Sequence, residues 1–492
     1  MYSNTLSGTF SVLDTAHANL NGPSLFMYVV GHKPDSVRLT IAALPGWQLI
    51  NGESNTITQR EFRFENYDRM VDTPTEIAPR VLADSFRADG RLYRVLVHHN
   101  GWEHGQRQRF VRDVEKIVRY ENRVISPPPL QRYTFLFHIG YEGGDGMEHL
   151  YSTQIVNSAP WSDTATVLPG ISTAAHEYFH TWNLMRIRPV EYGDVSYRTP
   201  RRSRGLWFSE GLSMFYSDLL RRRAGLPVST PTRAAHLETA IARYLSNPGY
   251  ARLSAERVSV AEYGDDPAAL GDYSASTHLQ GELIAAMMDL EIRHATSGRR
   301  SMDDVMRRMM ERYSGERGFT GRDVERVIAE VCGCTVSPFF DAHVRGARAI
   351  PFDDYLRYIG LRAEVTWRPA LGRDGRPAPD LRAFPYELGD GAGVRLKVSD
   401  PASAWGKAGL HTGDRLRAIN GHPIATRDAT LGVLRQLASG DTVHVELERA
   451  GVRRSATVVM APFDRPFVQL REIDAPTSAQ RALRAQWEKG AP

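Results

Sequence analysis

A chain of 492 residues with 61 Lys+Arg against 57 Asp+Glu carries a formal net charge of +4, and its length exceeds what one hydrophobic core serves, so two to four domains are expected. The basic residues are scattered except at 201–204 and 221–223, which argues against a nucleic-acid surface, and no apolar run approaches the roughly 18 residues of a membrane span. Cys332 and Cys334, separated by one glycine, are too close for an ordinary structural bridge and lack the partners of a metal site, so nothing requires an oxidising compartment.

The opening MYSNT lacks the charged and apolar regions of a secretory signal. From there to residue 70 the chain reads as β structure: TFSVL, SLFMYVV and VRLTIAAL are short apolar or alternating runs broken by Asn-Gly-Pro and Pro-Gly. LYRVLVHH reads as a strand, EHGQRQRFVRDVEKIVRYENRV as a helix, and YTFLFHI at 133–139 as a strand again. GYEGGDGMEHLYST follows, where Gly143, Gly144 and Gly146 let the backbone turn and approach a ligand. Its His149 has no metal-ligand spacing and reads as a supporting or structural group.

Residues 171–183, ISTAAHEYFHTWN, carry His176, Glu177 and His180 in the H-E-x-x-H order. On a helix, histidines four apart share one face and can reach one metal ion, with the intervening glutamate beside the open coordination position. A solvated helix with incidental histidines would not be this apolar: Ala174, Ala175, Tyr178, Phe179 and Trp182 surround the motif. A third ligand is available thirty residues on, in RGLWFSEGLSMFYSDLL, a helical run that continues to Arg223 and stops near Gly225. Glu210 stands there among Leu206, Trp207, Phe208, Leu212 and Phe215, where an unpaired carboxylate would be costly and a coordinated one would not. The chain then stays mostly helical to residue 346, with Ser301/Asp304 and Thr320/Asp323 spaced as capping boxes and Met302, Val305, Met306 and Met309 on one core face. A Pro/Gly/Arg-rich stretch at 368–385 reads as linker, and VRLKV, DRLRAING, DTVHVELER and SATVVMA read as strands, with the helix TRDATLGVLRQL between them.

HEYFHTWNLMRIRP followed by LWFSEGLSMFY resembles the glycyl aminopeptidase family of gluzincin zinc metallopeptidases, which end in a PDZ domain. NYDRMVDTPTEIAP, GGDGMEHLYSTQ, GELIAAMMDLEIR, VSPFFDAHVRG and AGLHTGDRLRAINGH extend the likeness over nearly the whole chain. The resemblance implies an α+β multidomain protein. Its parts are an N-terminal β domain, shortened at its start (1–70), a thermolysin-like catalytic domain of mixed sheet and helical lobe (71–346), a linker (347–385), a PDZ domain (386–465) and a C-terminal tail (466–492). It implies one zinc ion per chain on His176, His180 and Glu210, with Glu177 as general base and Trp182 and Asn183 orienting the zinc helix. YTFLFHI would be the sheet edge that pairs an extended substrate. GMEH is similar to the G-x-M-E-N segment in which a glutamate receives the substrate's α-ammonium, so Gly146, Met147 and Glu148 would bind substrate.

One departure stands out. Relatives place a tyrosine in a Tyr-x-Lys-Gly segment to stabilise the oxyanion; aligned on Gly281, this chain reads THLQG, with His278 in the tyrosine's place and Gln280 in the lysine's. A histidine donor can serve there, and Tyr273 is the alternative. The implied activity is hydrolysis of the first peptide bond of peptides headed by Gly or Ala. The alternatives are a weakened or inactive zinc-binding PDZ scaffold, or an endopeptidase of the same fold. The partners expected are peptide substrates and a C-terminal peptide at the PDZ domain, with no nucleic acid and no membrane span. The PDZ loop LGDGAGVRL only loosely matches a carboxylate-binding loop, so a PDZ domain that merely packs on the catalytic domain is an equal alternative to one that binds a chain terminus. The compartment reads as cytoplasmic from this chain alone, and as periplasmic or secreted if a signal precedes it.

Overall fold

The computed structural model describes residues 9–99, 104–139, 144–157, 164–193, 195–262, 267–372, 374–388, 391 and 393–490. MYSNT, Gly143 and residues 389, 390 and 392 of the PDZ loop lie outside the described residues.

Glycine, proline and polar residues interrupt the first apolar runs every few residues, and the strands are correspondingly short. β1 (Val12–Leu13), β2 (Ala18–Leu20), β3 (Val37–Thr40), β4 (Gln48–Asn51), β5 (Glu61–Phe64) and β6 (Thr75–Ala78) make a sheet in the order β1-β2-β6-β4 and a separate β3–β5 pair. Leu49, Phe62, Phe64, Tyr67, Met70 and Ile77 form their core. Expected as a strand, SLFMYVV instead passes from a 3-10 turn into coil and leaves Met27 and Val30 94% and 80% exposed. Phe26 and Tyr28 still pack on that core, but the run finds no strand to pair with among the described residues.

A second sheet follows: β7 (Leu82–Ala88), β8 (Arg91–His99), β9 (Arg132–Ile139), β10 (Gly144–Glu148) and β11 (Ser152–Asn157), in the order β10-β11-β9-β8-β7. Asp89 and Gly90, both at positive φ, close the β7–β8 hairpin. Strands β8, β9 and β11 run parallel, so β8 must reach β9 by a crossover, which α1 (His104–Val124) supplies. Parallel strands covered on both faces read as unbroken apolar runs, and Tyr133 to Ile139 are all buried. This corrects the expectation that YTFLFHI is the substrate edge. It lies in the middle of the sheet, and the edge is β10, the strand that carries Gly146, Met147 and Glu148.

The helical lobe is α2 (Thr164–Phe179), α3 (Leu206–Arg223), α4 (Arg233–Leu245), α5 (Ala255–Glu262), α6 (Thr277–Ala295), α7 (Met302–Tyr313) and α8 (Gly321–Cys332). Both anticipated capping boxes form at α7 and α8, and Met302, Val305, Met306 and Met309 are buried. Helices α3 and α6 touch backbone to backbone at Gly211 and Gly281: a Cβ on either would overlap the other helix. Cys332 and Cys334 are joined as a disulfide, correcting the reading from spacing. Gly333 at φ 67 caps α8 in the left-handed region and turns the chain back, so the two Cα atoms are 5.1 Å apart, within the usual span of a bridge.

The C-terminal domain is an antiparallel sheet of β13 (Ala383–Glu387), β14 (Val394–Val398), β15 (Arg415–Ile419), β17 (Thr442–Arg449) and β18 (Val452–Val459), with short β16 (His422–Pro423) paired to β15 and the helix Arg427–Leu434 alongside. It has its own core around Leu396, Trp405, Ile419 and Val445. The stretches read as linker and tail are structured: β12 (Leu361–Pro369) pairs antiparallel with β19 (Asp464–Glu472), and a terminal helix, Ser478–Glu488, buries Trp487 against Arg233. Pairing across a hundred residues leaves no local pattern to read. The molecule is thus an α+β multidomain protein: an N-terminal β domain, a mixed sheet with a helical lobe, and a PDZ-like β domain. No helix among the described residues is long and apolar enough to cross a membrane.

Candidate active site

Helix α2 ends at the motif. Its period of 3.6 puts His176 and His180 on one side, with ring centroids 4.7 Å apart and Nε2 atoms 3.0 Å apart. The close approach of α3 to α6 at Gly211 and Gly281 brings Glu210 and His278, one and three residues from those glycines, to the same point. Glu210 Oε2 lies 3.3 Å from His176 Nε2, 3.4 Å from His180 Nε2 and 3.2 Å from His278 Nε2. A tetrahedron with metal–ligand arms of about 2.0–2.1 Å has edges of about 3.3–3.4 Å. The His176, His180 and Glu210 donors therefore fit one zinc-sized ion as they stand.

The supports of this cluster are specific. His180 Nδ1 donates to the carbonyl of Asn183 at 2.7 Å, which turns Nε2 toward Glu210. Asn183 Nδ2 in turn donates to the carbonyls of Phe208 and Ser209, tying the end of the motif to the turn of α3 that carries Glu210. Trp182 is fully buried, stands edge-on to Tyr178 and donates from Nε1 to the Ser126 carbonyl. His149 bonds Asp72 at 2.9 Å, away from the cluster. Tyr273 sits half-buried in the coil before α6.

On the other side stand two more carboxylates. Ligand atoms of Glu148, Glu177 and His180 lie within 4.8 Å of one another. Gly146 has no side chain because one would overlap the Glu177 carboxylate, so β10 passes directly over the motif. Glu177 Oε2 is buried with no hydrogen-bond partner among the described residues, as suits a base that faces a reactant. A cavity of about 720 Å³ opens beside Met147 and Glu148, walled also by Met185, Arg188 and Tyr197.

Burial raises the Glu177 carboxyl well above the usual range, and repulsion from Glu148 and Glu210 adds to this against the pull of His180. Glu148 is raised for the same first reason. Burial opposes charge on Glu210 too, but His180, His176 and His278 hold it well below the ordinary value. Burial lowers His176 to about 4, whereas Glu210 and Glu148 overcome burial at His180 and push it up to about 10. His278 is raised against its burial by its bond to Glu210.

Tyr192 was not anticipated. It sits in the loop after the motif, its hydroxyl is buried without a partner among the described residues, and burial followed by Glu210, Glu191 and Glu148 raises its pKa. No spacing rule marks it, because its place depends on how residues 181–193 fold back over α3.

The family model described as M61 glycyl aminopeptidase matches residues 170–284, that of the peptidase M61 N-terminal domain matches residues 1–79, and that of the PDZ domain matches residues 373–460. No curated protein matches. Among solved structures, an aminopeptidase N family protein from Idiomarina loihiensis is 20% identical with a TM-score of 0.74, over 99% of this chain and 85% of that one. An M1 zinc metallopeptidase from Deinococcus radiodurans is 13% identical with a TM-score of 0.45, over 69% and 72%. Together with the site, the matches define a peptidase on an aminopeptidase-like fold. Within that class, the chain matches the models of the M61 glycyl aminopeptidase, of its N-terminal domain and of a PDZ domain in that family's order, and the resemblance read from its motifs is borne out.

Proposed function

We propose that this protein is a zinc-dependent aminopeptidase that hydrolyses the first peptide bond of peptides headed by glycine or alanine. The observation that carries the reading is the convergence of His176, His180 and Glu210 at 3.0–3.4 Å, with Glu177 and Glu148 on the open side. One zinc ion held by those three residues would polarise the scissile carbonyl and acidify the attacking water.

The chain's own groups supply the remaining steps. Glu177 Oε2 takes a proton from the attacking water and returns it to the leaving amine nitrogen. His278 Nε2 donates a hydrogen bond to the developing oxyanion, with charge assistance when protonated. The Tyr192 hydroxyl, buried near the same carboxylates, is a second donor on hand. The edge of β10 pairs the substrate backbone past Gly146 and Met147. At its end Glu148 accepts the α-ammonium, so that the first peptide bond reaches Glu177. The small first residue is supported by the family description alone. The PDZ domain is assigned a C-terminal peptide, added as a strand to its sheet.

Glu148 gives the test. Glu148→Gln should cost about 1.5–3 kcal/mol in kcat/KM for substrates with a free N-terminus, the worth of a charged hydrogen bond, with zinc content unchanged. Unchanged kcat/KM would remove Glu148 from the substrate site.

A further inference from the structure

A second histidine–carboxylate cluster lies where the N-terminal sheet meets the catalytic sheet. Glu76 on β6 is fully buried, and so are His17, which leads into β2, and His138 on β9; His98 on β8 is 8% exposed. Strand register brings them together. His98 and His138 are directly opposed across β8 and β9, and Asn19 opposes Glu76 across β2 and β6. His98 Nδ1 is 3.0 Å from Glu76 Oε1, and His138 Nε2 is 2.9 Å from Glu76 Oε2. One ligand atom each from His17, Glu76 and His98 lies within 4.8 Å of the others. The His17 and His98 rings stack at 4.4 Å with 20° between their planes, whereas His176 and His180 stand edge to face at 4.7 Å.

We infer that His17, Glu76 and His98 form a second, structural site for a divalent cation of the zinc class, distinct from the catalytic one, with His138 held on the other oxygen of Glu76. Two imidazoles and one carboxylate are a nitrogen–oxygen donor set that suits zinc and cobalt over calcium or magnesium. The outer contacts are those of a metal site. Asp14 holds His17 Nδ1 at 3.2 Å from the far side of the ring, and Asn19 Nδ2 donates to Glu76 Oε2 at 3.2 Å. Gln154 fixes Asn19 in turn, 3.0 Å away. A cluster buried on every side has no corner for substrate, so its product is stability: His17 and Glu76 beside the N-terminal sheet and His98 of the catalytic sheet cross-linked by one ion. The catalytic site takes one zinc, and this site raises the total to two.

Metal content separates the two sites. The His176→Ala/His180→Ala double variant of the full chain, loaded with Zn2+ and desalted, should retain one zinc per chain. Adding Glu76→Gln, which keeps the shape of the carboxylate and its contacts with Asn19 and the histidines, should remove it. In the wild-type protein, Glu76→Gln should lower zinc from two per chain to one while peptidase activity persists. No zinc on the double variant overturns the site, and so does zinc that survives Glu76→Gln. Neither result touches the catalytic assignment, which is read from the activity of the unmutated His176–His180 pair.

Discussion

The cluster around Glu210 and the cluster around Glu76 are built from the same side chains at nearly the same spacings, and what differs is what stands next to them. The Glu76 cluster is enclosed by two sheets, and its carboxylate faces His98 on one oxygen and His138 on the other. At Glu210, all three histidines meet a single oxygen, the His278 side chain is 38% exposed, Glu177 stands within reach of His180, and Glu148 borders a cavity. Donor atoms alone make a place for an ion. An unshared carboxylate, a hydrogen-bond donor and a sheet edge make a place for a reaction.

That contrast should break first at Glu177. Glu177→Gln is expected to retain zinc and lower kcat by about 10²–10⁴, the range of a general base, while Glu76→Gln leaves kcat near the wild-type value. Side-by-side kcat and metal content decide it, and a fast Glu177→Gln enzyme would refute the role. His278→Ala should slow turnover by about a hundredfold with zinc retained, as for other oxyanion donors. If turnover holds, Tyr192→Phe should carry the loss, since its hydroxyl is buried without a partner among the described residues.

The smallest effect concerns Glu121 on α1, fully buried behind the motif with neither oxygen partnered among the described residues. Burial raises its carboxyl well above the ordinary value of about 4.5. The folded chain keeps a proton there that the unfolded chain releases above about pH 4.5, so native stability falls as pH rises. Glu121→Gln escapes that loss. Its Tm advantage over wild type should grow between pH 5 and 8; a gap that is constant with pH would contradict the account.

Local periodicity made part of this molecule legible. His176 and His180 share a helix face because of their spacing, Glu210 was conspicuous as a carboxylate in an apolar helix, and the caps at Ser301 and Thr320 follow from side chains three residues apart. Non-local features were not legible. YTFLFHI reads equally well as an edge or a centre strand until its parallel neighbours are known, and the true edge, β10, is a glycine-rich stretch with weak strand character. His17, Glu76, His98 and His138 come from four strands of two sheets, so no spacing relates them. Tyr192 depends on a loop path, and the β12–β19 ribbon on partners a hundred residues apart.

The central claim is that this site hydrolyses the bond next to a free N-terminus. The most direct measurement compares the zinc-loaded wild-type protein on paired peptides headed by glycine or alanine, each with a free and with an N-acetylated terminus. Release of the first residue from the free peptides and negligible cleavage of their acetylated partners is the result expected, because Glu148 leaves no favourable place for an acetyl cap. Equal cleavage of both members of a pair would contradict it.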